Sequence, residues 1–301
     1  MNLIKVDEYN KALFKAYCYK YRYEHDESYL DDEELEGFNP NVQPAFILQE
    51  EDCSVVGAVS LKILPYLENE KRGRIVILHV IESYNLIEEA YKRLLDSIKP
   101  YIEDLNHISC FIPESKMRFR EIIQGLGFTL ERYIWVLVRD NMEVSAPHIP
   151  QGMNLISVQT HEDAENWCTV RNEAFKTVQG NETPIITEKA IEFLNESRAI
   201  PGGMLLLKDG NCPVGAIRIT KELDEGKEYA FIGSVSVLPQ YRGKGLGRLL
   251  LRAGLTHGKS AGLERAMLTV NAQNENAASL YISEGFHKLS VVICYVFSKP
   301  Y

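Results

Sequence analysis

The sequence predicts an α/β chain made of two tandem copies of one unit, each a mixed, mostly antiparallel sheet flanked by helices. Three observations carry that reading. The halves open alike, with Met1-Asn-Leu-Ile-Lys-Val6 set against Met153-Asn-Leu-Ile-Ser-Val158 at an offset of 152. Later markers recur at an offset of 158: Val56-Gly-Ala-Val59 against Val214-Gly-Ala-Ile217, and Gly127-Phe128 against Gly285-Phe286. Matched order with small length changes marks a duplicated domain, not a solenoid with a period of about 20–50 residues. Finally, 301 residues suit two domains of about 150, each able to bury a core. The expected domains are 1–145 and 152–301. They are joined through Asp140–Gln151, where two prolines favour a stiff linker.

In the first copy the pattern predicts a helix over Tyr9–Arg22, a hairpin of Ala45–Gln49 with Val55–Leu61, and a strand over Arg74–Ile81. A helix over Leu86–Ile98, a strand over Ile108–Ile112 and a helix over Lys116–Gln124 follow. The second copy begins with a strand at Leu155–Val158. Its first helix spans Glu162–Thr177, with Ala164, Trp167, Cys168, Arg171 and Phe175 facing inward, and Gln179–Pro184 breaks it. Thr187 reads as the N-cap of a helix reaching about Asn195. Met204–Leu207 is then expected to pair with Val214–Ile219 across an Asp209-Gly-Asn turn. Tyr229–Leu238, Ala266–Val270 and His287–Phe297 read as strands, and Asn274–Glu284 as a helix.

Between Tyr229–Leu238 and the next helix lies Pro239-Gln-Tyr-Arg-Gly-Lys-Gly-Leu-Gly-Arg248. Gly243, Gly245 and Gly247 permit close backbone approach to a ligand, and the free N–H groups of a helix's first turn face whatever sits in the loop. Arg242, Lys244 and Arg248 add fixed positive charge. Leu246, Leu249, Leu250, Ala253 and Gly254 give that helix one buried face, running to about Gly258. The arrangement is an anion site with a diphosphate as its natural occupant.

Composition excludes several classes. With 45% hydrophobic and 25% charged residues the chain reads as a soluble globular protein. No apolar run approaches the roughly 20 residues of a membrane span, and Met1–Asp7 does not read as a signal peptide, so a cytoplasmic protein is expected. The net charge of −9 sits entirely in the first half: residues 1–150 hold 17 Lys and Arg against 26 Asp and Glu, and residues 151–301 hold 16 of each. Such a surface repels nucleic acid and anionic membrane and favours a cationic partner such as an amine. The densest acidic run, Glu24–Glu36, reads as a solvated helix face or loop. Cys18, Cys53, Cys110, Cys168, Cys212 and Cys294 have neither zinc-ligand spacing nor a nucleophile motif, and are expected to be reduced, buried thiols; no metal is expected.

Two motifs in the second copy carry a family resemblance. Gln240-Tyr-Arg-Gly-Lys-Gly245 fits Gln/Arg-x-x-Gly-x-Gly/Ala, and Leu268-Thr-Val-Asn-Ala-Gln-Asn274 continues into Asn274-x-x-Ala-x-x-Leu-Tyr281 and Gly285-Phe286. Together they resemble the acetyl-CoA signature of the GCN5-related N-acetyltransferases (GNAT), over roughly residues 153–298. The resemblance implies that acetyl-CoA is the acyl donor. Val235, Ser236, Val237, Gln240, Tyr241, Arg242, Gly243, Lys244, Gly245, Leu246, Gly247, Arg248 and Asn274 would bind it, with the N–H groups of Val235 and Val237 on pantetheine and acetyl carbonyl. Tyr281 would be the general acid. Two turns separate it from Asn274, which puts both on one helix face.

Many members carry a glutamate on the strand before the loop, where this chain has Ala230-Phe-Ile-Gly-Ser234. Glu228 and Ser234 are the candidates for the base or its water. The first copy departs further. Ile81-Glu-Ser-Tyr-Asn-Leu-Ile-Glu-Glu-Ala90 has no glycine, and Glu82, Glu88 and Glu89 stand where phosphates need donors. It is therefore expected to bind no acyl-CoA and to serve as scaffold or as one wall of a substrate cleft. The layout resembles two-domain members that acetylate a cysteinyl amine. The expected reaction is direct acetyl transfer to a primary amine of a small molecule or peptide, by a monomer or homodimer. The alternative is a non-catalytic acyl-CoA-binding protein.

Overall fold

The computed structural model describes residues 1–22, 24, 30, 32–64, 71–224 and 226–297. The chain forms two compact units, one of Met1–Ile134 with the stretch from Val291, the other of Trp135–Ser290. The proline-bearing stretch 140–151 thus lies within the second unit.

The first unit runs β1 (Asn2–Lys5), α1 (Lys11–Lys20), α2 (Asp32–Glu36), β2 (Ala45–Gln49), β3 (Val55–Ile63), β4 (Arg72–Val80), α3 (Ile87–Ile102), β5 (His107–Pro113) and α4 (Met117–Gly125). β6 (Phe128–Arg139) begins in it and ends in the second unit. The second unit repeats the plan: β7 (Met153–Ser157), α5 (His161–Phe175), α6 (Thr187–Phe193), β8 (Ala199–Asp209), β9 (Cys212–Asp224), β10 (Lys227–Val237), α7 (Leu246–Ser260), β11 (Ala266–Asn271), α8 (Glu275–Ser283) and the start of β12 (His287–Phe297), which ends in the first unit. A single 3₁₀ turn, Pro239–Tyr241, precedes the glycines.

The strand pairings repeat as well. β1 to β4 pair antiparallel in sequence order and β4 pairs parallel with β5; β7 to β10 pair antiparallel and β10 pairs parallel with β11. Helices cover both faces of each sheet. In the first unit Phe14, Tyr17 and Cys18 of α1 seal one face, and Ile87, Tyr91, Leu94 and Ile98 of α3 seal the other. In the second unit Trp167 and Cys168 of α5 pack on one face, and Leu249, Leu250 and Ala253 of α7 on the other. The distal end of β12, Val292–Phe297, pairs antiparallel with β5 inside the first unit.

Several local expectations change. Thr187 is the first helical residue of α6, and the cap position falls to Ile186, which has no side-chain acceptor. A capping box is found instead on α5, where the Thr160 hydroxyl accepts from the Asp163 N–H and the Asp163 carboxylate accepts from the Thr160 N–H. Phe175 is only half-buried, because α5 ends there. Cys53 and Cys212 are exposed rather than buried, since each sits at a hairpin end; Cys53 holds φ +67°. Most of the acidic run Glu24–Glu36 lies outside the described residues, and its tail forms the short α2. Among the described residues no helix is long and apolar enough to cross a membrane.

Candidate active site

In the second unit the glycine loop and the strands beside it shape a groove of about 850 Å³, within the usual span of small-molecule sites. Its floor follows from how β10 pairs. On one side β10 holds β9 through Gly233↔Arg218 and Ser236↔Ala216, so Ser234 and Val235 together oppose Ile217 alone. This is a bulge, and Ser234 adopts φ +55° in it. The Trp167 indole N–H donates to the Ile217 carbonyl at 3.3 Å, pinning β9 at that point. On the other side the parallel register with β11 covers only Ala230↔Ala266 and Phe231↔Met267. Beyond it the two strands part.

The open edge exposes defined amides. The Leu238 N–H donates to the Val214 carbonyl at 3.0 Å, toward β9. Side alternation along a strand then turns Ser236 toward β9 as well, and turns the N–H groups of Val235 and Val237 toward the gap. Both valines line the groove.

At the groove's far end Gly243 and Gly245 hold φ +78° and +80°, and a Cβ at either would meet nothing within 4 Å. Glycine is needed there for the backbone angle, and the space in front stays open. Gly245 is the N-cap of α7, so the first-turn N–H groups of Leu246, Gly247 and Arg248 lack helical acceptors and face the groove's loop end.

The flanking cations are more engaged with protein than the sequence suggests. Arg242 donates to the carbonyls of Val237 at 3.1 Å and Ala174 at 3.0 Å, latching the loop to β10 and α5. Lys244 lies 4.8 Å over the Tyr241 ring, whose hydroxyl bonds Asp209 at 3.2 Å. Arg248 pairs with Glu284 at 2.9 Å and donates to Ser283 at 3.0 Å. The Glu284 carboxylate, buried, also takes both arms of Arg252 at 2.7 and 2.9 Å, tying the start of α7 to the end of α8. Gln240 and Lys244 are not groove-lining, whereas Tyr241, Arg242, Gly243, Gly245, Leu246, Gly247 and Arg248 are.

Asn274 caps α8, its side-chain oxygen accepting from the Ala277 N–H at 3.3 Å, and it lines the groove. Tyr281 lines the same groove from one turn further than Ala277. It is buried, meets Phe286 edge-on at 6.1 Å, and its hydroxyl takes no hydrogen bond among the described residues. Burial pushes its phenol up to about 12.

A model of the acetyltransferase (GNAT) family matches residues 166–286. Those residues are a GNAT acetyltransferase domain. The chain is 33% identical over 181 residues to a mycothiol acetyltransferase of Thermobispora bispora, a match covering 57% of this chain and 59% of that protein. It is 27% identical over 238 residues to a mycothiol acetyltransferase of Paenarthrobacter aurescens, covering 76% and 72%. Among solved structures, a tandem GNAT protein from the clavulanic acid biosynthesis pathway matches at TM-score 0.73 and 14% identity over 100% of this chain and 99% of that one. A GCN5-related N-acetyltransferase from Sphaerobacter thermophilus matches at TM-score 0.69 and 18% identity, over 99% and 96%. These establish the tandem α/β fold for the whole chain; the donor used by the GNAT family is acetyl-CoA.

Within the GNAT domain the two candidates for the base lie apart from the groove lining. Glu228 is exposed at the start of β10 and pairs with Lys221 at 2.5 Å. Ser234 occupies the bulge, where its carbonyl accepts from the Ser236 hydroxyl at 2.8 Å; Ser236 itself is buried. No Asp, Glu, His or Cys is among the described lining residues. The groove also recruits Phe175, Thr177, Val178 and Gln179 from the end of α5, and Asn271, Gln273 and Asn276 around β11 and α8. A break after a helix and an Asn/Gln-rich turn were the available signals, but neither carries chemistry on its own in a sequence.

Proposed function

We propose that the second unit is an acetyl-CoA-dependent N-acetyltransferase that transfers acetyl directly to a primary amine of a small molecule or peptide. The observation that carries this is continuity: one groove joins a glycine-cradled helix N-terminus, an open strand edge and a buried, unengaged phenol. Each matches one part of the donor. The α7 terminus suits the diphosphate, the Val235 and Val237 amides suit the pantetheine and thioester carbonyl, and Tyr281 suits the sulfur.

The amine nitrogen attacks the thioester carbonyl, the C–S bond breaks, an amide forms, and the proton lost by nitrogen ends on the departing sulfur or in solvent. A phenol near 12 is a weaker acid than a thiol near 8.5. Tyr281 therefore stabilises the thiolate chiefly as a hydrogen-bond donor that keeps its own proton. With no carboxylate, imidazole or thiol among the described lining residues to take its proton, the acceptor enters as free amine or passes its proton to water. The first unit takes no acyl-CoA in this reading, and the resemblance to two-domain members that acetylate a cysteinyl amine puts such an amine in the acceptor panel.

Thioester consumption with a panel of amines tests the proposal. The expected result is amine-dependent release of CoA that Tyr281→Phe suppresses. Binding of acetyl-CoA with no amine accelerating its consumption would favour a non-catalytic acyl-CoA-binding protein.

A further inference from the structure

Asn271 ends β11, and its side-chain N–H donates to the backbone carbonyl of Gln179, beyond α5, at 2.8 Å. Both residues line the groove. Counted from the last paired residues, Phe231 and Met267, Asn271 stands as far along β11 as Val235 stands along β10. The bond therefore joins the α5 side to the β11 side at the level where the Val235 amide faces the gap. It is a donor on one wall matched with an acceptor on the other.

We infer that Asn271 and Gln179 form the seat for an amide group of the pantetheine arm, closed on itself until the donor binds. An inserted secondary amide offers what each partner needs. Its N–H donates to the Gln179 carbonyl, and its C=O accepts from the Asn271 side chain, so one bond between the walls becomes two bonds to ligand. A hydrocarbon satisfies neither partner and an ether or thioether offers no donor to the Gln179 carbonyl, which makes the pair selective for an amide. The inference rests on the acyl-CoA reading of the groove and adds a residue pair to it.

The test compares acetyl-CoA with adenosine 3′,5′-diphosphate, which lacks pantetheine, by calorimetry on the full chain. Asn271→Asp keeps the shape but removes the donor and sets a carboxylate against the Gln179 carbonyl; Asn271→Ala removes the donor without charge. Acetyl-CoA affinity is expected to fall about tenfold in Asn271→Asp and several-fold in Asn271→Ala, with nucleotide affinity unchanged in both. Unchanged acetyl-CoA affinity overturns the inference while leaving the functional reading intact. An equal loss of both ligands also overturns it, because the pair then only supports the loop. Failure of the wild-type chain to bind acetyl-CoA removes the reading itself and the inference with it.

Discussion

Val80 in the first unit and Val237 in the second occupy the same place in the repeat, the first opposite Gly57 on β3 and the second opposite Gly215 on β9. The residue after each donates to the preceding strand in the same way, Ile81 to Val56 and Leu238 to Val214, both at 3.0 Å. Their own N–H groups then meet different fates. That of Val80 donates to the Tyr91 hydroxyl at 3.3 Å, a side chain sent across from α3. That of Val237 faces an open groove. Tyr91 also stacks on Phe119 of α4 at 4.9 Å, so aromatic rings occupy space that the second unit leaves free. The corresponding cavities are about 360 and 850 Å³.

Charge separates the units at the same point. α7 opens on Gly245 at φ +80° with no acid in its first turn, whereas α3 opens after Leu86 and carries Glu88 and Glu89 there. Glu82 pairs with Lys116 at 3.1 Å. A duplicated scaffold thus retains its strand order while one helix terminus holds carboxylates and the other holds donors. The fold tolerates both because the sheet and its two cores do not depend on that loop.

Several experiments press on this comparison. Tyr281→Phe is expected to lower kcat about 10²–10³-fold with little change in acetyl-CoA affinity, measured by steady-state kinetics and calorimetry. The corresponding position of the first unit, Ile123, is buried and apolar, so Ile123→Val should leave kcat unaltered. Gly245→Ala meets no steric obstacle, so its cost is the left-handed backbone, about 1 kcal/mol. A several-fold rise in the KM for acetyl-CoA with kcat retained is expected, whereas Leu86→Gly should create no binding in the first unit.

The pH dependence of kcat/KM should rise with the free fraction of the acceptor and move with its pKa when acceptors are exchanged, because no Asp, Glu, His or Cys is among the described lining residues. Tyr281 stays protonated throughout, since its native pKa near 12 exceeds the unfolded value near 10. By linkage the native state then binds more protons between these values, so stability is lost as pH rises from about 10 to about 12. The smallest effect is expected from Thr160→Ala. Removing the α5 capping box should cost about 1 kcal/mol and a few degrees of melting temperature, with acetyl-CoA affinity intact.

The repeat, the order of elements and the glycine loop were legible because each depends on local pattern: periodic apolar residues, glycines at left-handed angles, and a motif read in one stretch. That the Val235 and Val237 amides face a ligand followed only from family resemblance, since two strands parting after Phe231 leave no mark on either sequence. Arg248 and Arg242 read as free cations because their partners, Glu284 and the carbonyls of Val237 and Ala174, are supplied by tertiary packing. Tyr91 as the cap on Val80 was invisible for the same reason. The base was sought near the loop strand, and the structure places Glu228 in a surface pair.

The account turns on one unit keeping its strand edge for the donor while the other has closed it. Calorimetric titration of the full chain with acetyl-CoA tests that most directly. One equivalent per chain is the expected result, abolished for the second unit by Gly245→Asp and unaffected by Tyr91→Phe. Two equivalents, or one that survives Gly245→Asp, would contradict it.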